Sequence, residues 1–259
     1  MDLIKAKDDA LGYLDTSRDE VMKWFRQDFE VREKSDKSPV TIADQNAEIL
    51  LREQIHRDYP GHGIIGEEFG TENGDAEWVW TIDPIDGTRS FIRGLPLFAS
   101  LIALLHKGEP VMGIIALPAL DETAWGARGH GTWCNGNRLC VSPQKKLRQA
   151  TVATADIYCF EQTRCKKLFH RLQRESALTR TYPDAFGHLM AIRGAVDVMV
   201  DPLAFIWDYA PCKILALEAG GQFANFTGNR ADIRQGTAIV GNAHLVKSVR
   251  ALVRQELKR

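Results

Sequence analysis

A chain of 259 residues, 44% hydrophobic and 26% charged, has the balance of a globular protein large enough for one α/β unit or two subdomains, which excludes a disordered polypeptide. Its formal net charge of −1 gives no basis for nucleic-acid binding, and Lys145, Lys146 and Arg148 make only a small basic patch on a polar connection. The five cysteines are odd in number and lack CxxC or Cys/His ligand spacing, and neither a signal-like opening nor an apolar run of membrane length is present, so the expectation is a cytoplasmic protein with reduced thiols and no structural zinc.

Positions 2–30 place Leu3, Ala6, Ala10, Leu11, Leu14, Val21, Met22, Phe25 and Phe29 at largely helical spacings, as one long helix or two with a break near Thr16. A polar stretch from Arg32 to Ser38 follows. Pro39 to Asp44 then leads into a helix whose stripe is Ala47, Leu50, Leu51 and Ile55, ending before Pro60. Thr41 and Asp44 both suit a helix start, so capping competes with any chemical role for Asp44. Next, residues 63–70 read as a short apolar strand ending in Glu67 and Glu68 between glycines. Adjacent strand residues point to opposite faces, so only one of the two acids should reach a site.

The run Trp78-Val79-Trp80-Thr81-Ile82 reads as a buried strand that ends on Asp83 and Asp86, with Pro84 between them. Pro84 cannot donate to a sheet ladder, so the backbone is expected to leave the strand in a turn that exposes the Ile85 carbonyl. Three hard oxygen ligands would then converge. Gly87 permits a conformation closed to other residues, and Thr88 to Phe91 could open a short helix whose free N–H groups attract phosphate. Oxygen-rich ligand sets suit Mg²⁺ or Mn²⁺, so the pattern points to a hard-metal site holding a phosphate ester. Asp-Pro-Ile-Asp-Gly is also an ordinary turn composition.

Beyond it, residues 97–105, 111–117, 123–127 and 139–142 alternate with turn signals as in an antiparallel meander, with Trp125 and Trp133 as packing residues. A polar break at 145–149 suggests a boundary, dividing the chain into 1–147, which carries most candidate ligands, and 148–259, which closes the site. Strands near 151–155, 178–182, 196–200, 221–225 and 237–240 alternate with helices at 161–176, 185–194, 208–218 and 243–258, an α/β layer. The basic last helix reads as a solvated face. Asp208 opens a helix and could be a cap or a ligand, and His188 reads as a core or boundary residue. Neither GxSxG nor GxxxxGK[ST] is present, so serine-esterase and P-loop readings lack support.

Four strings in order, Ser38-Pro39-Val40-Thr41-Ile42-Ala43-Asp44, Gly66-Glu67-Glu68-Phe69-Gly70, Asp83-Pro84-Ile85-Asp86-Gly87-Thr88-Arg89-Ser90-Phe91-Ile92 and Trp207-Asp208 followed by Glu218-Ala219-Gly220-Gly221, resemble the signatures of the inositol monophosphatase family. The resemblance covers essentially the whole chain. It implies an αβαβα sandwich of the inositol monophosphatase/fructose-1,6-bisphosphatase type, usually a homodimer, that hydrolyses phosphate monoesters with two or three Mg²⁺ ions. Periodicity alone gives only mixed α/β. The resemblance assigns Glu67, Asp83 and the Ile85 carbonyl to one metal and Asp83, Asp86 and Asp208 to a second. It assigns Asp44 and Thr88 to water activation and Asp86, Gly87 and Thr88 to phosphate, with a substrate-contacting acid near Asp201; Asp184 is a further candidate, or only a cap of the helix that follows it. Within the family the strings are most similar to those of histidinol-phosphate phosphatases. Inositol-1-phosphate and 3′-phosphoadenosine 5′-phosphate are the alternative substrates, and a non-catalytic Mg²⁺-binding partner protein is the alternative outside enzymes.

Overall fold

The structure, a computed structural model, describes residues 1–33, 39–228 and 231–257; Ser38 and Lys258 of the expected segments lie outside them. Helix α1 (Leu3–Trp24) starts on Asp2, whose carboxylate accepts the N–H groups of Ile4 and Lys5, and it buries Ala6, Ala10, Leu14 and Val21. It runs unbroken past Thr16, whose hydroxyl donates back to the Gly12 carbonyl and so stays inside the helix. The hairpin of β1 (Val31–Glu33) and β2 (Pro39–Thr41) precedes α2 (Ile42–Asp58), which packs on α1 through Ala47, Leu51 and Ile55. Leu50, expected on that stripe, is only half-buried.

The first sheet has eight strands: β3 (Gly63–Gly66), β4 (Gly70–Glu72), β5 (Trp78–Asp86), β6 (Ala99–His106), β7 (Glu109–Leu117), β8 (Glu122–Ala127), β9 (Gly131–Cys134) and β10 (Asn137–Leu139), in the order β10-β9-β8-β7-β6-β5-β3-β4. Only β3 and β5 pair in parallel. The meander is as expected over its first three strands, but the strand expected over 139–142 is Asn137–Leu139, and Gly131–Cys134 is a further strand. Asn135 and Gly136, with φ of 46° and 78°, form the tight turn to β10. Trp133 therefore lies in a strand, stacked on Trp125. The short helix α3 (Thr88–Phe91) follows β5.

The second sheet contains β11 (Thr151–Thr154), β12 (Leu178–Thr181), β13 (Val198–Asp201), β14 (Gln222–Ala224) and β15 (Ala238–Gly241), ordered β12-β11-β13-β15-β14. The helix expected over 161–176 is two, α4 (Ile157–Gln162) and α5 (Lys166–Glu175), because the chain turns at Arg164 with φ of 60°. The remaining helices are α6 (Asp184–Ile192), α7 (Ile206–Glu218) and α8 (Ala243–Leu257).

The layers run α1/α2, first sheet, α6/α7, second sheet, α5/α8, an αβαβα sandwich. Helix α7 is the shared layer, packing on β6, β7 and β8 on one side and on β14 and β15 on the other. Gly113 on β7 permits that approach, because a Cβ there would lie 2.7 Å from Cα of Pro211 on α7. Glu218, at the end of α7, accepts the N–H groups of Gly129 and Gly131 between β8 and β9. No described helix is long and apolar enough to cross a membrane, and all five cysteines are free thiols.

Candidate active site

The strand β5 does not stop at Asp83. It continues through Pro84 to Asp86, with a register shift in which Asp83 faces Leu101 and Asp86 faces Ala99 of β6. Pro84 is tolerated because it sits in the bulge, where no ladder N–H is needed. Its carbonyl accepts the Ser100 hydroxyl at 2.7 Å. The bulge rests on Ile82, Ile85, Phe91 and Phe98, all essentially buried, each worth about 1.5–3 kcal/mol of burial. Gly87 follows with φ of 83°, and a Cβ there would sit 2.9 Å from Oδ2 of Asp184. Glycine is thus required twice, by backbone and by space.

Asp83, Asp86 and Asp208 each offer a carboxylate oxygen, and these oxygens lie within 4.8 Å of one another. In each residue the structure records one oxygen tied to a backbone N–H: Ile85 donates to Asp83 at 3.0 Å, Ala185 to Asp86 at 2.6 Å, and Phe205 to Asp208 at 2.7 Å. Asp208 is therefore both a cap of α7 and a member of the cluster. Burial, and next Glu67, push the Asp83 carboxyl well above the usual range; burial and Asp184 do so for Asp86, and burial and Glu67 for Asp208. Lining the same cavity, the only basic groups among the described residues are Arg89 and His188. Three converging carboxylates without a cation between them, and with hard oxygen donors only, fit Mg²⁺ or Mn²⁺.

Glu67 reaches this cavity from a turn rather than from a strand, since β3 ends at Gly66. The alternation of faces therefore does not select between Glu67 and Glu68. What orients the turn is Glu48 of α2, fully buried, which accepts the N–H groups of Glu68 at 2.7 Å and Phe69 at 3.1 Å and is held by Arg52 Nε at 2.8 Å. Gly66 is needed because any side chain there would overlap the Glu48 carboxylate. Asp44 does two things at once. One carboxylate oxygen accepts the Thr41 N–H at 2.7 Å and hydroxyl at 2.5 Å, a capping box, and the other stands 3.5 Å from the Thr88 hydroxyl. Burial raises its carboxyl to about 6 despite those Thr41 bonds. Thr88 also lies 3.1 Å from the Ile85 carbonyl.

The far wall of the cavity, whose volume is about 690 Å³, comes from the second half of the chain. Asp184 has φ of 54° at the start of α6, and its side chain makes no cap bond. Burial and then Asp201 and Asp156 raise its carboxyl to about 7, against the pull of Arg89. Asp201 is 4% exposed; it accepts the Leu203 N–H at 3.1 Å, and Nε2 of His188 lies 3.1 Å from its other oxygen. His188 is thus a buried residue that fixes Asp201. Sequence reasoning missed Asp156, which caps α4 through the Cys159 N–H, and Tyr158 beside it. It also missed Phe205 stacked on Trp207 at 5.1 Å. Glu48 four residues before Arg52 on one helix was a visible pair, but nothing in the string says what it holds.

The inositol monophosphatase family model matches residues 11–258. The histidinol-phosphatase of Mycobacterium tuberculosis is 35% identical over 223 residues, covering 84% of this chain and 85% of that protein. The Nus factor SuhB of Salmonella typhimurium is 34% identical over 232 residues, covering 88% and 87%. Among solved structures, the IMPase of Thermotoga maritima superposes with a TM-score of 0.88 at 30% identity over 98% of both chains.

Proposed function

We propose that this chain, which belongs to the inositol monophosphatase family and is one of its metal-dependent phosphomonoesterases, acts on L-histidinol phosphate and releases L-histidinol. The observation that carries the substrate reading is the second set of acids. Asp156, Asp184 and Asp201 line the cavity in addition to the three-carboxylate cluster, and Asp184 has no hydrogen-bond partner of its own among the described residues. A substrate bearing an ammonium and an imidazole gains charge-assisted bonds from that wall, and the exposed faces of Tyr158 and Phe205 suit its ring. An uncharged inositol ring brings no cation to that wall and gains only hydroxyl hydrogen bonds there. The similarity to histidinol-phosphatases supports the same reading, and the similarity, at 32% identity, to the fructose-1,6-bisphosphatase/inositol-1-monophosphatase of Aquifex aeolicus is why inositol phosphate remains the comparison substrate.

In this reading Glu67, Asp83, the Ile85 carbonyl, Asp86 and Asp208 would hold two or three Mg²⁺ ions. Magnesium bound there would supply Lewis-acid stabilisation of the charge that develops on the phosphoryl group and the leaving oxygen. The residues of the chain do the rest. The N–H groups of Gly87 and Thr88, at a helix start where no preceding turn accepts them, bind phosphate oxygens. The Thr88 hydroxyl orients a water molecule for in-line attack. Its own proton is directed to Asp44 or the Ile85 carbonyl, leaving a lone pair for the water. Asp44, held by Thr41, takes up the proton through Thr88. The reading extends to a homodimer in the cytoplasm, with residues 1–147 carrying most of the metal ligands and residues 148–259 closing the site.

The test is phosphate release from L-histidinol phosphate, myo-inositol 1-phosphate and 3′-phosphoadenosine 5′-phosphate, with and without Mg²⁺. The proposal expects the highest kcat/KM on histidinol phosphate. A preference for inositol phosphate would overturn the substrate and leave the phosphatase standing.

A further inference from the structure

Helix α8 carries a basic stripe, Lys247, Arg250 and Arg254, at spacings that place all three on one side. As a sequence it reads as a solvated face, but the fold turns it toward a second cavity, of about 560 Å³, beside β14, the edge strand of the second sheet. Leu217 at the end of α7, Phe223 of β14 and Val246 of α8 give this cavity an apolar floor. No carboxylate is among the described residues that line it. Arg250 donates through Nη2 to the Gly228 carbonyl, while its Nε is buried without an acceptor. Lys247 and Arg254 have no ion-pair partner among the described residues.

Elsewhere on the same helix charge is matched, since Glu256 takes Arg171 of α5 at 2.7 Å. The stripe is different: three cations converge on one concavity whose described lining holds no carboxylate to match them, an arrangement that favours an anionic ligand. The volume lies within the range of small-molecule sites, and an apolar floor beneath a few convergent polar groups is their usual make-up. We propose that this cavity binds a small organic phosphate, with its phosphate group on Lys247, Arg250 and Arg254 and an apolar body against Leu217 and Phe223.

The site lies apart from the carboxylate cavity, so binding can be read without turnover. Phenylphosphonate, which carries no hydrolysable ester, would be titrated into the full chain in EDTA by calorimetry. EDTA removes the metal ions through which the carboxylate cavity would hold the probe, and a double variant tells the two cavities apart. Saturable one-to-one binding with Kd of about 1 mM or tighter is expected. The double variant Lys247→Ser, Arg254→Ser changes two exposed side chains; it should weaken binding by at least about tenfold while Mg²⁺-dependent cleavage of p-nitrophenyl phosphate stays unchanged. Inorganic phosphate should bind more weakly than phenylphosphonate. Absence of saturation, or equal binding by the variant, would overturn the site, and equal affinity for the two probes would overturn the organic character of the ligand.

Discussion

Two groups of three aspartates share one cavity and are built in opposite ways. Asp83, Asp86 and Asp208 each have one oxygen tied to a backbone N–H and contribute carboxylate oxygens within 4.8 Å of one another. They are frozen in place and left electrostatically unmatched. In the other group Asp156 caps α4, and Asp201 is tied to His188 and Leu203; Asp184 alone has no bond, on a residue with φ of 54°. The first group lacks a counter-charge collectively, which suits a multivalent ion. The second has a single carboxylate open in a fixed frame, which suits recognition of one cationic group.

The sharpest way to break the contrast is Asp83→Asn. A hard metal ion would supply several kcal/mol of charge stabilisation, so loss of a cluster carboxylate that would hold it should lower kcat/KM by roughly 10³-fold or more. The fold should survive, because an asparagine oxygen can still accept the Ile85 N–H. Turnover within a few-fold of wild type, measured on folded protein, would remove Asp83 from the metal set.

Asp44→Asn comes next. An asparagine oxygen at this third helical position can still accept the Thr41 N–H and hydroxyl, so stability should hold while kcat falls by about 10²–10⁴-fold. Thr88→Ala should fall comparably, with Mg²⁺ affinity little changed in both. A drop in melting temperature without a drop in kcat would return Asp44 to a purely capping role.

A third expectation concerns pH. Asp44 at about 6 and Asp184 at about 7 both sit above the ordinary 3.8, and the three cluster carboxyls lie well above it. Groups with raised folded-state values hold more protons folded than unfolded, so stability falls as pH rises from about 4 through those values. Asp44, buried and about two units displaced, withholds on the order of 3 kcal/mol above its folded value. The His62 ring, lowered by burial, acts in the opposite sense but is one group against five. In EDTA the protein should therefore melt higher near pH about 5.5 than near pH about 8, and Mg²⁺ should raise the melting temperature more at the higher pH. A metal-free melting temperature that climbs with pH over that window would contradict the raised carboxyls.

The two groups also differ in how far the sequence discloses them. Asp83, Asp86 and Gly87 are legible because one bulge and one left-handed glycine build their geometry within five residues. The αβαβα order was legible from the same strings through resemblance, and most strands and helices from periodicity. What stayed hidden depends on contacts between distant segments. Glu48 acts on a turn about twenty residues away, His188 fixes Asp201 across two elements, and Asp156 is turned into the cavity only by the packing of α4. The strand at Gly131–Cys134 was missed because Trp133 looked like an isolated packing residue, although Asn135-Gly136 beside it is a hairpin signal.

The smallest predicted effect tests the recognition group alone. Asp184→Asn keeps the shape of the side chain, and asparagine tolerates the left-handed backbone that φ of 54° demands, so the variant removes charge and little else. A charge-assisted hydrogen bond is worth about 1.5–3 kcal/mol, so kcat/KM for L-histidinol phosphate should fall roughly ten- to a hundredfold. For p-nitrophenyl phosphate, which has no cation to present, the change should be slight. The corresponding Asp201→Asn variant should lose stability as well as activity, because it replaces one partner of a buried pair with His188. Because Asp184 Oδ2 also stands against Gly87, a distinct failure can be read from the same assay. Equal losses on both substrates would place Asp184 in the phosphate cradle rather than at the cationic end of the substrate, and the distinction between the two groups of aspartates would then have to be redrawn around Asp156 and Asp201.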